Sequence, residues 1–204
     1  MGDARAATIF LVRHAAHDRL DRILCGRMPA VSLGDTGRVQ AEAVARRLAR
    51  ERIAAVFASP LERARETASP IAARHGLDLA ITDGINEIDC GEWTGARFED
   101  LHQDERWHVW NRERAVSSTP GGEAMHQVQA RALAALDEWR RAYPDQAVVA
   151  VSHSDVIKAV VCGLLGLSLD RYHSFEIGPA SVTTLVVWDG GGKVISLNEA
   201  VGEL

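Results

Sequence analysis

The amino-acid sequence predicts an α/β protein: a three-layer α/β/α sandwich with a mostly parallel central sheet. Three short apolar runs have the length and composition of buried strands, at Thr8 to Val12, Ala54 to Ala58 and Ala147 to Val151. Helical patterns alternate with these runs, which favours parallel strands covered by helices on both faces. With 204 residues, 47% of them hydrophobic, the chain can bury one core, so we expect a single domain over residues 1–204.

Four segments have the apolar spacing of amphipathic helices. In the clearest one, apolar side chains form a single stripe at Met125, Val128, Ala132, Leu136 and Trp139. The predicted helices are Arg38 to Arg50, Leu61 to Arg74, Glu123 to Ala142 and Asp155 to Leu165. Ser59, Pro60 and Glu62 follow the order of a capping-box start, so Ser59 is predicted to be the N-cap of the second helix.

Weaker signals extend the predicted sheet. Leu79 to Thr82 is a short candidate strand, and Ser181 to Trp188 and Val194 to Leu197 flank a turn at Gly190 to Gly192. We expect the last two strands to pair as a hairpin at the edge of the sheet. Residues 86–122 carry glycines and clustered tryptophans instead of the regular alternation, which indicates an excursion over the sheet and its active site.

Composition excludes several classes of protein. The formal net charge of -5 argues against a surface built to hold nucleic acid or an anionic membrane. Cys25, Cys90 and Cys162 form no C-x-x-C pair, so neither a disulfide framework nor a zinc site is indicated. The segment Met1 to Ala7 is too short and polar for a signal peptide, and we expect a cytoplasmic protein.

Cationic and imidazole groups follow three of the predicted strands. Arg13 and His14 follow the first strand, Arg63 lies just beyond the second, and His153 follows the Ala147 to Val151 strand. Ligands of open α/β sheets bind beyond the carboxyl ends of the strands, so these groups are expected at one rim. Singly, each is better explained as a solvated charge or a structural histidine; their coincidence predicts a phosphate site, which the helix start at Ser152 to Asp155 would favour.

The order of these motifs resembles the histidine phosphatase superfamily, also called the phosphoglycerate mutase-like family. Its opening motif Leu-Val-Arg-His-Gly is present as Leu11 to Ala15. The resemblance covers essentially the whole chain and continues through Gly26-Arg27, Leu33 to Ala41, Ser59 to Thr67, Glu87 to Gly95, Pro120 to Glu123 and Val151 to His153. It implies a phosphoglycerate mutase-like fold and a histidine acid-type phosphatase that needs no cofactor and no metal.

The resemblance also implies residue roles. His14 is the expected nucleophile, which becomes a phosphohistidine, while Arg13, Arg63 and His153 bind the phosphoryl group. Glu87 is the expected proton donor, and it would need a raised pKa to hold its proton near neutrality. Asp89 and Glu92 are nearby alternatives, and Glu87 could instead be a solvated loop carboxylate.

Several positions depart from the family pattern or face an unknown substrate. Ala15 and Ala16 replace a glycine and an acidic residue, and Leu20 replaces an asparagine that many members carry. Candidate substrate-binding residues are His17, Cys25, Gly26, Arg27 and Ser154, although Ser154 is more simply a helix cap. Arg27, His17, Trp93 and Trp107 are candidates for the pocket mouth, and the tryptophans are alternatively packing residues.

Other functions stay open at this point. A phosphoglycerate mutase-type phosphotransferase is the first alternative, although the mutases of the family carry a longer basic insertion. A metallohydrolase using His14, His17, His153 and Asp155 lacks a recognised ligand spacing. A serine hydrolase would lack its G-x-S-x-G elbow, and a non-catalytic binding protein would not need the full residue set. We expect a small phosphomonoester substrate and neither a nucleic acid nor a membrane partner. A homodimer formed through Ser181 to Trp188 is a further hypothesis.

Overall fold

The computed structural model describes residues 5–201, so most of the polar segment that begins at Met1 lies outside it. The strands are β1 (Ala7–Arg13), β2 (Ile53–Ala58), β3 (Leu79–Ile81), β4 (Ala147–Ser152), β5 (Val182–Trp188) and β6 (Gly191–Glu199). The helices are α1 (Asp35–Leu48), α2 (Glu62–His75), α3 (Phe98–Leu101), α4 (Glu105–Arg112), α5 (Met125–Ala142) and α6 (Ser154–Leu165). Short 3-10 helices occupy Asp83–Ile85, Gly91–Trp93 and Leu169–Ser174.

The six strands form one mixed sheet in the order β3-β2-β4-β1-β5-β6. β3, β2, β4 and β1 are parallel, whereas β5 pairs antiparallel with both β1 and β6. The prediction of a mostly parallel sheet is confirmed. Because Arg13 lies opposite Ser152 in the register of β1 and β4, the chain leaves both strands at the same level.

Helices cover both faces of this sheet, and β1 shows how the sequence divides its side chains between them. Ile9 and Leu11 belong to an apolar cluster that contains residues of α5 and α6. Phe10 and Val12, which point to the opposite face because successive side chains alternate along a strand, pack with residues of α1 and α2. The three-layer α/β/α prediction is confirmed. No helix within residues 5–201 combines the length and the apolar character needed to span a bilayer.

Residues 86–122 form the excursion that interrupts the alternation, with α3, α4 and one 3-10 turn. Trp93, Trp107 and Trp110 are buried there and pack edge-on or tilted against one another, with ring centroids 5.4–5.8 Å apart. They join the same cluster as Ile9 and Leu11. The tryptophans therefore fasten the excursion onto the α5/α6 side of the sheet.

Three details of the sequence prediction are wrong. α2 begins at Glu62 and its N-cap is Leu61, so Ser59 lies two residues before the N-cap; its hydroxyl accepts from the Leu61 N–H (3.4 Å) and also contacts Asn86 and His153. The final turn is tighter than expected, since only Gly190 (φ 73°) adopts the left-handed conformation there and Gly191 already belongs to β6. The hairpin is confirmed, but β6 is its edge strand. The Ser181 to Trp188 segment pairs on both sides and cannot supply the edge that the homodimer hypothesis requires.

Candidate active site

The carboxyl ends of β1, β2 and β4 bring the predicted site residues together. The backbone N–H of His14 donates to the Ser152 carbonyl (2.8 Å), and that of Ser59 donates to the Val151 carbonyl (3.0 Å). These bonds continue the ladders one residue past the strands and fix the positions from which the chains turn. His153 is the N-cap residue of α6, so its ring lies at the same rim. The predicted convergence is therefore found.

His14 is buried and held in one tautomer. Its Nδ1 lies 2.9 Å from the Ala15 carbonyl, which can only accept, so the ring hydrogen sits on Nδ1. Its Nε2 then keeps a lone pair, which receives the Nε–H of Arg63 at 3.3 Å. Burial, followed by the charges of Arg63 and Arg13, lowers the pKa of His14 well below its ordinary 6.5. The imidazole is therefore neutral and its Nε2 is unprotonated, as a nucleophile requires.

Arg13 and Arg63 bring positive charge that no carboxylate neutralises by direct contact. Within residues 5–201, Arg13 donates through Nη1 to the Ile177 carbonyl (2.7 Å) and Arg63 through Nη2 to the Gly26 carbonyl (2.8 Å). Nε of Arg13 and Nη1 of Arg63 are buried and have no partner there. Burial lowers the pKa of both guanidinium groups. Buried charges and donors left in this state are costly unless an anion pairs with them.

His153 is completely buried behind these groups. Its Nε2 lies 2.8 Å from the Ser59 hydroxyl, and its Nδ1 lies 3.4 Å from Nη2 of Arg63 and 3.6 Å from Oε2 of Glu87. Burial and the Arg63 charge lower the pKa of His153 well below 6.5. The ring is therefore neutral in the unliganded site.

Glu87 follows the Asp83–Ile85 turn, and its carboxyl group lines the cavity of the site. Its Oε1 accepts from the backbone N–H of Ile88 (2.9 Å), and its backbone carbonyl is held by Arg27 (2.8 Å) and Arg131 (3.1 Å). Burial raises the pKa of Glu87 to about 7, and the negative charge of Asp155 is the second largest cause of this increase. The alternative of a solvated loop carboxylate is therefore wrong.

Arg13, His14, Arg63 and Glu87 line a cavity of about 140 Å³, whereas the fully buried His153 lies behind its wall. Of the candidate substrate-binding residues, it is lined by His17, Cys25, Gly26 and Ser154. A larger groove of about 410 Å³, at Leu133 and Trp188 among others, contains none of the chemical groups described above. The small cavity is therefore the candidate active site.

Arg27, Trp93 and Trp107 do not line this cavity, so their prediction as pocket-mouth residues is wrong. Arg27 uses its second amino group to pair with Glu123 (2.8 Å), and together with Arg131 it braces the Glu87 segment. Ser154 does not cap α6, because it is the first helical residue; its hydroxyl lies 3.5 Å from the Ile177 carbonyl.

His17 is an aromatic neighbour of His14 that lines the cavity. Its ring stacks on that of His14, with centroids 5.4 Å apart, and it is nearly buried. Burial and the charge of Arg63 lower its pKa to about 4, so it is neutral near pH 7. Its Nδ1 accepts from the backbone N–H of Arg19 (3.3 Å), which leaves Nε2–H as a donor.

The departures after His14 have a structural counterpart. The backbone N–H groups of Ala15 and Ala16 donate to Thr67 Oγ1 and Gln40 Oε1, each at 2.9 Å. These two donors are thus already engaged. The turn after His14 is therefore held to α2 by Thr67 and to α1 by Gln40.

Sequence reasoning missed Asp21 and Arg114, and it named Asp155 only as a ligand of the metallohydrolase alternative. Asp21 and Asp155 line the cavity, and Asp155 pairs with Arg114 (3.1 Å). Arg114 lies between the rings of Trp110 (3.6 Å) and Tyr172 (3.5 Å). No local sequence pattern links Asp155 to Arg114. In the described part of the chain, no three His, Cys, Asp or Glu side chains are grouped so as to hold a metal ion.

Comparison with known proteins agrees with this arrangement. The model of the histidine phosphatase superfamily (branch 1) matches residues 9–200, and the chain belongs to this family. It is 32% identical over 195 residues to phosphoserine phosphatase 1 of Hydrogenobacter thermophilus, covering 93% of this chain and 91% of the relative.

Solved structures of similar proteins agree with this family assignment. A mycobacterial glucosyl-3-phosphoglycerate phosphatase superposes with a TM-score of 0.86 at 26% identity, over 96% of this chain and all (100%) of that one. A phosphoserine phosphatase of Entamoeba histolytica in complex with phosphoserine gives 0.82 at 27% identity, over 94% and 96%. The phosphoglycerate mutase-like fold is therefore confirmed.

Proposed function

We propose that this protein is a phosphomonoesterase that acts without a metal, through a phosphohistidine on His14, on a small phosphorylated metabolite. One observation carries the proposal: a neutral histidine with an unprotonated Nε2 lies against Arg63, a buried guanidinium that contacts no carboxylate of residues 5–201. Family membership and the phosphatase names of its relatives support it. In its narrower form, the proposal is a histidine acid-type phosphatase, a phosphoric monoester hydrolase.

In the first step, Nε2 of His14 attacks phosphorus, and the bond from phosphorus to the ester oxygen breaks. The electron pair of that bond goes to the ester oxygen, which takes the proton of Glu87 and leaves as an alcohol. Arg13 and Arg63 stabilise the negative charge that spreads over the phosphoryl oxygens. A pKa of about 7 gives Glu87 a proton to donate at neutral pH.

In the second step, water replaces His14 on phosphorus. The carboxylate of Glu87, left by the first step, accepts a proton from the attacking water, while the nitrogen–phosphorus bond breaks and its electron pair returns to Nε2. Inorganic phosphate leaves, and the starting protonation state is restored. One group can serve both steps because its pKa lies close to the working pH.

The cavity supports a small substrate. About 140 Å³ accommodates a phosphoryl group and few further atoms, with His17, Cys25, Gly26 and Ser154 in contact with them. Relatives are named for phosphoserine and for glucosyl-3-phosphoglycerate, so we propose a small phosphorylated metabolite of that general kind. Neither a nucleic acid nor a membrane partner forms part of the proposal.

A broad screen of phosphomonoesters, comparing the wild type with His14→Ala, tests the function. We expect phosphate release from one group of small esters and none from the variant. The mutase alternative is tested by incubation with 3-phosphoglycerate and its bisphosphate. Isomerisation faster than phosphate release would contradict a phosphatase.

A further inference from the structure

Two residues behind the site, Ser59 and Asn86, form hydrogen bonds whose direction is fixed. Asn86 Oδ1 accepts from the backbone N–H of Glu87 (2.8 Å), and its Nδ2 donates to Asp83 Oδ1 (3.3 Å). The amide orientation is therefore set from both sides. Ser59 Oγ lies 3.2 Å from the same Oδ1, which can only accept, so the serine hydroxyl must donate to it.

The hydrogen bond from Ser59 to Asn86 determines the tautomer of His153. With its hydrogen given to Asn86, Ser59 Oγ can only accept from Nε2 of His153, which lies 2.8 Å away. A neutral His153 therefore carries its hydrogen on Nε2. Its Nδ1 presents a lone pair toward Nη2 of Arg63 (3.4 Å) and Oε2 of Glu87 (3.6 Å).

The two oxygens of Glu87 are thereby distinguished. Oε1 accepts from the Ile88 N–H, whereas Oε2 lies 3.6 Å from His153 Nδ1, so that a hydrogen on Oε2 would point toward the lone pair of that nitrogen. We propose that Ser59 and Asn86 are positioning residues, which through His153 place the reactive proton of Glu87 on Oε2. This inference rests on the proposed function, since it assumes that Glu87 protonates the leaving group.

The charges around Glu87 and His153 favour a proton on Glu87. Burial and Asp155 raise the pKa of Glu87, although Arg63 and Arg13 oppose them. Burial, Arg63, His14 and Arg13 all lower the pKa of His153. The proton that the two groups share thus resides on the carboxyl group and not on the imidazole.

The leaving-group dependence of the rate tests the proposal. A series of substituted phenyl phosphates is assayed, and log kcat/KM is plotted against the pKa of the phenol. Loss of the general acid makes this plot steeper, because poor leaving groups depend most on protonation. Ser59→Ala is expected to steepen the plot and to slow the poorest leaving group about 10-fold, within the range of a weakened general acid. The rate with the best leaving group stays nearly unchanged.

Matched variants separate this effect from a structural one. Ser152→Ala removes another buried serine hydroxyl at a strand end, one that donates to the Ile85 carbonyl (2.8 Å), and should keep the wild-type slope. Ser59→Thr retains a hydroxyl and should recover most of the slope. If Ser59→Ala does not fold, Asn86→Ala tests the same set of contacts, because it removes the oxygen that accepts the Ser59 hydroxyl hydrogen.

Glu87→Gln distinguishes failure of this inference from failure of the proposed function. A steep plot for Glu87→Gln with a wild-type slope for folded Ser59→Ala would overturn the positioning role alone. A wild-type slope for Glu87→Gln would instead remove Glu87 as the acid. A uniform loss of rate across the series in Ser59→Ala, without a change of slope, would likewise overturn the inference.

Discussion

At the scale of single residues, the unliganded site holds its positive charge on arginines and its mobile proton on a carboxyl group. His14 and His153 are both neutral, because burial and the neighbouring guanidinium groups lower their pKa values. Burial and the charge of Asp155 raise the pKa of Glu87 to about 7. This distribution supplies a nucleophile and an acid at the same pH, which is the condition for the proposed reaction.

The pH dependence of activity follows from these shifts. Glu87 must be protonated to act as the acid of the first step, so kcat/KM, which reports the free enzyme, is expected to fall as pH rises through about 7. No loss of kcat/KM from protonation of His14 is expected until the pH is well below 6.5. The pH profile of kcat/KM with one aryl phosphate measures both limbs. If Glu87→Gln retained the same decline above neutrality, another group would be its cause.

Arg63 is expected to contribute through transition-state charge. Removing one such donor commonly costs about 10² to 10³ in rate, so Arg63→Ala should lower kcat/KM by that order. Arg65→Ala, an exposed arginine on the same helix, is the matched control and should stay close to the wild type. Similar losses in both variants would show that the effect is not specific to the buried guanidinium.

The sequence predicts much of the site because strand ends are visible as apolar runs. Arg13, His14 and His153 follow such runs directly, and their convergence needs only a parallel sheet. Ser59 was assigned to a cap because its spacing fits one, whereas tertiary contacts with His153 and Asn86 take its hydroxyl. A hydrogen-bond partner from a distant segment leaves no trace in local spacing.

At the scale of elements, α1 approaches the turn after the nucleophile closely enough to require a glycine. A Cβ at Gly37 would lie 1.9 Å from the Ala16 carbonyl oxygen, so backbone would have to move. Gly37→Ala should therefore destabilise the fold by about 1–3 kcal/mol, as overpacking does, despite the better helix propensity of alanine. Urea denaturation measures the loss, and kcat should fall because the turn carries His14.

Gly163→Ala, in α6, is the control for that substitution. Its Cβ would meet the ends of the Leu133 and Gln129 side chains, which can move, so a smaller cost is expected. Equal costs for the two variants would contradict the account of Gly37.

Elements with a strong pattern were predicted well, and those fixed by tertiary contacts were not. The apolar runs predict β1, β2 and β4, and the apolar stripe predicts α5. α3 and α4 are short and lie in a segment held by tryptophan packing, which has no period to detect. β6 lies at the edge because β5 pairs with β1 on its other side. The residues of β5 and β6 alone do not predict this strand order.

At the scale of the whole molecule, an anion in the site should stabilise the fold. Ligand that binds only the folded state adds about 2.7 kcal/mol at one hundred times its Kd. Tungstate, a phosphate mimic, should raise the Tm of the wild type, and the increase should be much smaller in Arg63→Ala. An equal increase in both proteins would place the bound anion elsewhere.

The central claim is that phosphate passes through His14, and trapping the intermediate tests it most directly. A substrate found in the screen is mixed with excess enzyme, quenched into alkaline denaturant, in which phosphohistidine survives, and the peptides are sequenced by mass spectrometry. The account predicts phosphate on His14 in the wild type and none in His14→Ala, which should not turn over. Phosphate on another residue, or sustained turnover by His14→Ala, would contradict it.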